Sequence, residues 1–170
     1  MSILPASFDD IPKIVTLVQN CYRGDSARKG WTHEADLLDG TRLTPRLLKD
    51  DMSKSGAVVL KYIDDNGEVI GCVYTEKQND KMYTGMLCVS PHIQASGLGK
   101  KLMNAVDNLA REQNCCAIKM HVISRRTELV EWYERRGFRK TGDTAPFPTG
   151  DDDFGKPKIP LEFVVMQKDI

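Results

Sequence analysis

The segment most suited to chemistry is the glycine-spaced turn in residues 89–101, which reads VSPHIQASGLGKK. It joins a strand-like stretch to an amphipathic helical pattern. Gly97 and Gly99 allow an anion to approach the backbone with no Cβ in the way, and a helix start presents free N–H groups at its positive end. Lys100 and Lys101 oppose that helix dipole by about 0.3–1 kcal/mol each unless an anion is bound. The turn therefore predicts a polyphosphate site.

Two nucleotide-binding motifs do not fit this turn. A Walker loop requires glycine where Gln94 stands and Ser or Thr where Lys101 stands. A dinucleotide fingerprint requires a third glycine where this chain has Leu102. An ordinary helix start without a ligand remains the alternative.

The spacing Gln94-x-x-Gly97-x-Gly99 resembles the pyrophosphate signature Arg/Gln-x-x-Gly-x-Gly/Ala of the Gcn5-related N-acetyltransferases (GNAT). About thirty residues on, Tyr133 followed by three residues and Gly137-Phe138 resembles the second motif of that family. The resemblance covers residues 2–142. It implies an α/β (α+β) fold with a mixed, mainly antiparallel central sheet flanked by helices, a single domain over residues 1–170, and acetyl-CoA or coenzyme A as cofactor.

The resemblance also implies roles for individual residues. The acetyl-CoA-binding residues would be Leu87, Cys88, Val89, Gln94, Ala95, Ser96, Gly97, Leu98, Gly99, Lys100 and Lys101. A primary amine would attack the thioester carbonyl in a ternary complex, with a backbone N–H near residues 87–89 polarising the carbonyl oxygen. Tyr133 would serve as the acid toward the leaving sulfur, and packing against Leu129, four residues earlier, is its alternative role.

This chain departs from the family pattern in two places. Arg126 and Leu129 stand where many relatives have Asn and Ala, and residues 82–90 lack the carboxylate that often serves as base. The base is therefore unassigned. A non-catalytic acyl-CoA-binding sensor or interaction module of the same fold is the competing hypothesis, and the amine itself is not identified.

Candidate acceptor residues lie in the segment 30–40. Glu34 is a candidate catalytic base, and Trp31, Glu34 and Asp36 could bind a cationic amine through an aromatic face and opposite charge. A solvated loop anchored by Trp31 is the alternative. Glu76 and His121 are weaker candidates for the base, and His121 on a strand is also typical of a structural residue.

Composition limits the remaining function classes. The 24 basic residues balance the 24 acidic ones, so no global field favours nucleic acid. Five cysteines without a CxxC pair read as reduced core residues and favour the cytoplasm. Three scattered histidines predict no metal site, and no stretch predicts membrane insertion. We expect an amine acceptor, small molecule or peptide, as partner; a homodimer is compatible with the sequence.

Periodicity predicts the elements that position these residues. Residues 143–160, with four prolines, predict an extended loop, and residues 23–43 predict an ordered loop or broken helix. Strands are expected at 2–6, 57–63, 68–75, 82–89, 117–123, 138–141 and 161–167; helices are expected from Asp9 or Asp10 to Tyr22, at 45–52, 97–113 and 127–136.

Overall fold

The computed structural model describes residues 1–30, 33–93, 96–148 and 155–170. Its helices are α1 (Ile11–Tyr22), α2 (Gly24–Ala27), α3 (Pro45–Met52), α4 (Leu98–Glu112) and α5 (Thr127–Glu134). Its strands are β1 (Ser2–Pro5), β2 (Leu38–Asp39), β3 (Ala57–Ile63), β4 (Val69–Gln78), β5 (Lys81–Val89), β6 (Ala117–Ile123), β7 (Arg139–Pro146), β8 (Lys156–Pro157) and β9 (Glu162–Asp169).

Seven strands form the central sheet in the order β1-β3-β4-β5-β6-β9-β7, and β2 pairs with β8 separately. In the central sheet β5 and β6 run parallel, whereas the other neighbouring pairs run antiparallel. This is the expected mixed, mainly antiparallel sheet flanked by helices, and the predicted fold class is confirmed.

The parallel pair is short, and this opens the sheet. Its register runs from Lys81 opposite Ala117 to Tyr83 opposite Lys119 and stops there. Beyond that point β5 stays with β4 and β6 stays with β9. The two halves of the sheet therefore separate at the carboxyl ends of β5 and β6.

A β-bulge in β5 accompanies this separation. Between Gly85 and Cys88 the register against β4 shifts, so that two residues of β5 face one residue of its partner. Met86 within the bulge has a φ of 54°. Bulges bend a strand and increase its twist, which turns the end of β5 away from β6. Gly85 immediately precedes the bulge.

Helices cover both faces of the sheet. On one face α4 buries Leu102 and Val106, and on the other α1 and α3 bury Ile14, Val18 and Leu48, all five with 0% exposure. Burial of such a side chain contributes roughly 1.5–3 kcal/mol, so the helices are held firmly against the sheet. The loops between helices and strands are thereby fixed as well.

The prediction of an extended loop at 143–160 needs correction. The expected loop at 143–160 contains strand: Thr144–Pro146 pair with β9 after an irregularity near Gly142, whose φ is 93°. That interruption of the alternating pattern hid the strand in the sequence. The segment 23–43 contains α2 and β2, and residues 31–32, 94–95 and 149–154 lie outside the described part of the chain.

The five cysteines are free thiols, with Cys116 exposed and the other four buried. Within the described ranges, no helix is both long enough and apolar enough to span a membrane.

An ion pair ties the start of α1 to the sheet. Lys61 Nζ lies 2.7 Å from both carboxylate oxygens of Asp10, and the Ser7 N–H donates to Asp10 Oδ2 at 2.8 Å. Burial acts to raise the pKa of Asp10, but the Lys61 ammonium and the Ser7 donors outweigh it and leave the pKa below its usual value. The ionised carboxylate is therefore favoured in the folded protein.

We predict that Asp10→Asn lowers the free energy of unfolding by about 1 kcal/mol at pH 7, because a charge-assisted hydrogen bond is lost. A depressed folded-state pKa contributes stability above the unfolded value of about 3.9 and loses it as pH falls through the folded value. Urea unfolding at pH 7 and near pH 3 should show the difference shrinking in acid. Asp9→Asn, at an exposed neighbouring site, is the control; equal effects of the two substitutions would contradict the prediction.

Candidate active site

Two cavities meet where the sheet opens. The first, of about 270 Å³, lies between the end of β5, the turn before α4, and α5. The second, of about 290 Å³, lies between β5 and β6. The residues that line both cavities are Tyr22, Leu87, Arg126, Leu129 and Tyr133.

The turn before α4 has the geometry of an anion cradle. Gly97 is the N-cap with a φ of 78°, and a Cβ added there would meet no atom within 4 Å. The helical hydrogen-bond ladder begins with the Lys101 N–H donating to the Gly97 carbonyl at 3.1 Å. The preceding N–H groups of the first turn are therefore outside the ladder, where an anion can accept from them.

Most of the residues predicted for cofactor binding come together in the first cavity. Its lining includes Leu87, Cys88, Val89, Ser96, Gly97, Leu98, Gly99 and Lys100. Lys101 is exposed and is absent from that lining, because each residue of a helix is rotated by about 100° from the one before. Gln94 and Ala95 lie outside the described residues.

Two further residues of this cavity, one aromatic and one basic, were not predicted from the sequence. Trp132 and Arg136 line it, with the Arg136 guanidinium 3.3 Å from the centroid of the Trp132 ring. A Cβ on Gly99 would lie 3.6 Å from Trp132, so the glycine allows α4 and α5 to approach closely. The Trp–x–x–x–Arg spacing on one helix face is a signal that could have identified the pair.

Tyr133 occupies the junction of the two cavities. It is 7% exposed and makes edge contacts with Trp132 and Phe138, at centroid distances of 5.0 and 5.7 Å. Burial raises the pKa of Tyr133 to about 12, although Arg126 and Arg136 act in the opposite direction. Its hydroxyl is therefore protonated near neutral pH and can donate a hydrogen bond into the junction.

The end of α1 is fastened to the bulged end of β5. The Tyr22 hydroxyl donates to the Leu87 carbonyl, and the Cys21 thiol donates to the Val89 carbonyl at 3.3 Å. Burial raises the pKa of Tyr22 well above its ordinary value, which keeps this donor protonated. In the sequence both residues fit a helical core pattern, and no further signal marks their contact with the site.

Glu34 lies in the second cavity between two arginines. Its Oε2 is 3.1 Å from Arg23 Nη2, and its Oε1 is 3.7 Å from Arg126 Nη1. The three side chains are exposed by 10% or less, and burial lowers the pKa of Arg23 while Glu34 opposes this effect. An amine would have to displace a guanidinium to reach this carboxylate. The geometry favours an ion-pairing role for Glu34 over proton abstraction.

The other candidate acceptor residues are separated from one another. Asp36 lines a third cavity, is largely exposed, and pairs with Arg28, which holds the pKa of Asp36 below its usual value. Glu76 accepts from the Tyr74 hydroxyl at 2.7 Å and lines none of the three cavities. Trp31 lies outside the described residues.

His121 is brought into the second cavity. Its ring contacts Tyr83 at 5.6 Å and stacks with Phe163 at 5.7 Å, and the side chain remains partly exposed. Partial burial and, secondarily, the Lys119 charge lower the pKa of His121. The imidazole is therefore neutral at pH 7 and has a nitrogen that can accept a proton.

Comparisons with known proteins bear on the family and the fold. Uncharacterized protein YdhI of Bacillus subtilis (strain 168) is 27% identical over 101 residues, which is 58% of this chain and 59% of that protein. The crystal structure of the ribosomal-protein-S18-alanine N-acetyltransferase from Escherichia coli has a TM-score of 0.74 at 15% identity, covering 99% of this chain and 93% of that one. Ribosomal-protein-alanine N-acetyltransferase from Brucella melitensis has a TM-score of 0.72 at 16% identity, with full coverage of both chains at 100%.

Residues 14–138 match the family described as Acetyltransferase (GNAT) family. This span includes most of α1, the opened strands, the Gly97 turn and Tyr133, and it covers the lining of the first cavity and most of the lining of the second. The two solved structures, at 15% and 16% identity, support the fold alone. The chain therefore belongs to the Acetyltransferase (GNAT) family.

Proposed function

We propose that this protein transfers an acetyl group from acetyl-CoA directly to a primary amine bound in the same complex. The observation that carries this proposal is the junction of two cavities at Leu87 and Tyr133. A donor in the first cavity and an acceptor in the second would meet at that junction. Holding two reactants in contact removes much of the entropic cost of a bimolecular reaction.

The first cavity fits coenzyme A. The N–H groups after Gly97 would hold the diphosphate, and residues 87–89 would contact the pantetheine arm. When bound, acetyl-CoA supplies an activated acyl group as a thioester. A backbone N–H at the β5 bulge would donate to the carbonyl oxygen as negative charge develops there, an interaction that stabilises the transition state more than the ground state.

Tyr133 is proposed to hydrogen-bond the departing sulfur. With a pKa of about 12 against roughly 8.5 for a thiol, complete proton transfer would be uphill by about 5 kcal/mol. A hydrogen bond to the developing thiolate requires no complete transfer. Tyr133 therefore acts as a donor that stabilises charge, and the thiolate takes its proton from solvent.

His121 is proposed as the proton acceptor for the attacking nitrogen. Among the titratable side chains described in the second cavity, Glu34 is engaged by two arginines, and burial raises the pKa values of Tyr22, Tyr83 and Tyr133. His121 is neutral at pH 7 and accessible from that cavity. It can accept a proton directly or through one water.

We also propose that residues 1–170 function as one domain in the cytoplasm. Five free thiols, including the exposed Cys116, support a reducing compartment.

The first prediction concerns the cradle. Gly97→Ala should weaken coenzyme A binding at least tenfold in calorimetry, because a methyl group would stand where the phosphate approaches. Gly67→Ala is a matched control: Gly67 has a φ of 79°, open space around its Cβ, and lies in the β3–β4 hairpin. Each substitution should cost about 1–2 kcal/mol of stability through backbone strain. Equal affinities of the two variants for coenzyme A would contradict the assignment.

The function itself is tested by thiol release from acetyl-CoA with a panel of primary amines. We expect turnover by the wild-type protein and a 10- to 100-fold lower kcat for Tyr133→Phe, with acetyl-CoA affinity nearly unchanged, because only a donor to the leaving group is removed. An unchanged kcat would remove the role of Tyr133. Acetyl-CoA binding without turnover on any amine would instead support the non-catalytic sensor.

The pH dependence of kcat tests His121. Because its folded-state pKa is lowered, the imidazole loses its proton-accepting form only as pH falls below about 6.5, and wild-type kcat should decline there. His121→Gln should reduce kcat at pH 7.5 by about 100-fold and should lack this acidic limb. His92→Gln, outside the three cavities, is the control. A His121→Gln profile parallel to that of the wild type would refute the assignment.

A further inference from the structure

The charged groups in the described lining of the second cavity are mainly positive. Its described lining contains the guanidinium groups of Arg23, Arg42 and Arg126 and the single carboxylate of Glu34, while His121 is neutral at pH 7. An excess of cationic groups in a partly enclosed space attracts an anion and disfavours a second cation. The sequence predicted an acidic wall, with Glu34 and Asp36 binding a cationic amine. The net charge of the described lining is instead positive.

The carboxylate of Glu34 is committed to Arg23 and Arg126, at 3.1 and 3.7 Å. Arg42 is different. Its guanidinium carbon lies 5.2 Å from the centroid of the Tyr22 ring, and no carboxylate in the described ranges pairs with it. The Tyr22 ring supports the Arg42 guanidinium through a cation–π contact. This contact leaves the N–H donors of the guanidinium available to a ligand.

The backbone around Arg42 is fixed in place. The Arg42 N–H donates to Gln19 Oε1 at 2.9 Å, and Gln19 Nε2 donates to the Gly40 carbonyl at 3.3 Å. One side chain of α1 thus anchors this loop at two points. Tyr22, whose ring contacts the Arg42 guanidinium, also donates its hydroxyl to the Leu87 carbonyl at the cavity junction. Arg42 is therefore positioned relative to the reacting groups before any acceptor binds.

Resting on the function proposed above, we propose that the acceptor is an amine that also bears a carboxylate, and that Arg42 binds this carboxylate. A guanidinium offers paired N–H donors that match the two oxygens of a carboxylate, and such bidentate pairs fix orientation as well as contribute affinity. The carboxylate held at Arg42 would leave the amino group of the same molecule directed toward the junction at Leu87 and Tyr133. Arg42 is a substrate-binding residue in this assignment.

Matched pairs of amines test this inference. Each pair consists of an amino acid and its carboxamide, which share the amine and the side chain and differ in one charge. The panel contains the common α-amino acids and the unbranched ω-amino acids glycine, β-alanine and 4-aminobutyrate, so that the spacing between amine and carboxylate varies. Glycylglycine is included to compare the carboxylate of a peptide with that of a free amino acid. Spermidine is included as an amine that carries positive charge and no carboxylate. The readout is kcat/KM from thiol release with saturating acetyl-CoA.

We expect at least one carboxylate to exceed its carboxamide by tenfold or more in kcat/KM. Arg42→Gln should bring that ratio close to one, with the loss mainly in KM for the amino acid and with the KM for acetyl-CoA unchanged. Arg42→Lys should keep part of the preference because it keeps the charge without the paired donors. Arg46→Gln is the control: Arg46 is an exposed residue of α3 that pairs with Asp50 and lies outside the three cavities.

The two proposals fail in different ways. Turnover that favours carboxamides or spermidine, or a carboxylate preference that survives Arg42→Gln, would overturn the carboxylate inference and leave the acetyltransferase function intact. Absence of thiol release with every amine, in protein that still binds acetyl-CoA, would overturn the proposed function and the inference together.

Discussion

The separation of β5 from β6 is the constraint on which the rest of the site depends. A parallel pair that continued past Tyr83 and Lys119 would fill the space that the two cavities occupy. The bulge beyond Gly85 turns the end of β5 away from β6. Because β5 remains paired with β4 and β6 remains paired with β9, the rest of the sheet stays intact. The opening is thus a local loss of pairing in an otherwise continuous sheet.

Elements from both faces of the sheet complete the opening. From one face come the Gly97 turn and Tyr133, and from the other comes Tyr22, which binds the Leu87 carbonyl. Each of these elements is fixed by packing in the two hydrophobic clusters that cover the faces of the sheet. The geometry of the site therefore depends on the hydrophobic core together with the hydrogen bonds of Tyr22 and Cys21 to the end of β5.

The two cavities differ in the charged groups that line them. The first combines a helix start with Lys100 and suits a polyphosphate, while the described lining of the second contains three arginines and one glutamate. Buried arginines are costly unless paired, and Glu34 offsets that cost for Arg23 and Arg126. In our proposal Arg42, supported by the Tyr22 ring, would use its donors to bind the carboxylate of the acceptor. Positive charge would attract the diphosphate of the donor to the first cavity and the carboxylate of the acceptor to the second. The amine of the acceptor would then have to lie away from the arginines, toward the junction of the two cavities.

The sequence by itself determined the parts of this protein whose information is local. Glycine spacing before an amphipathic helix predicted the cradle at Gly97, and periodicity located the main helices and strands, because backbone conformation and hydrophobic pattern act over a few residues. The glycine spacing and the motif around Tyr133 together indicated the family for the same reason. Only the tertiary structure decided which distant residues share a cavity. Glu34 carries the same side chain whether it faces solvent, an amine or two arginines, and pairing with Arg126, far along the chain, is set by how the sheet and helices pack. The excess of positive charge among the described residues that line the second cavity is likewise a sum over residues from separate elements, which no short stretch of sequence contains.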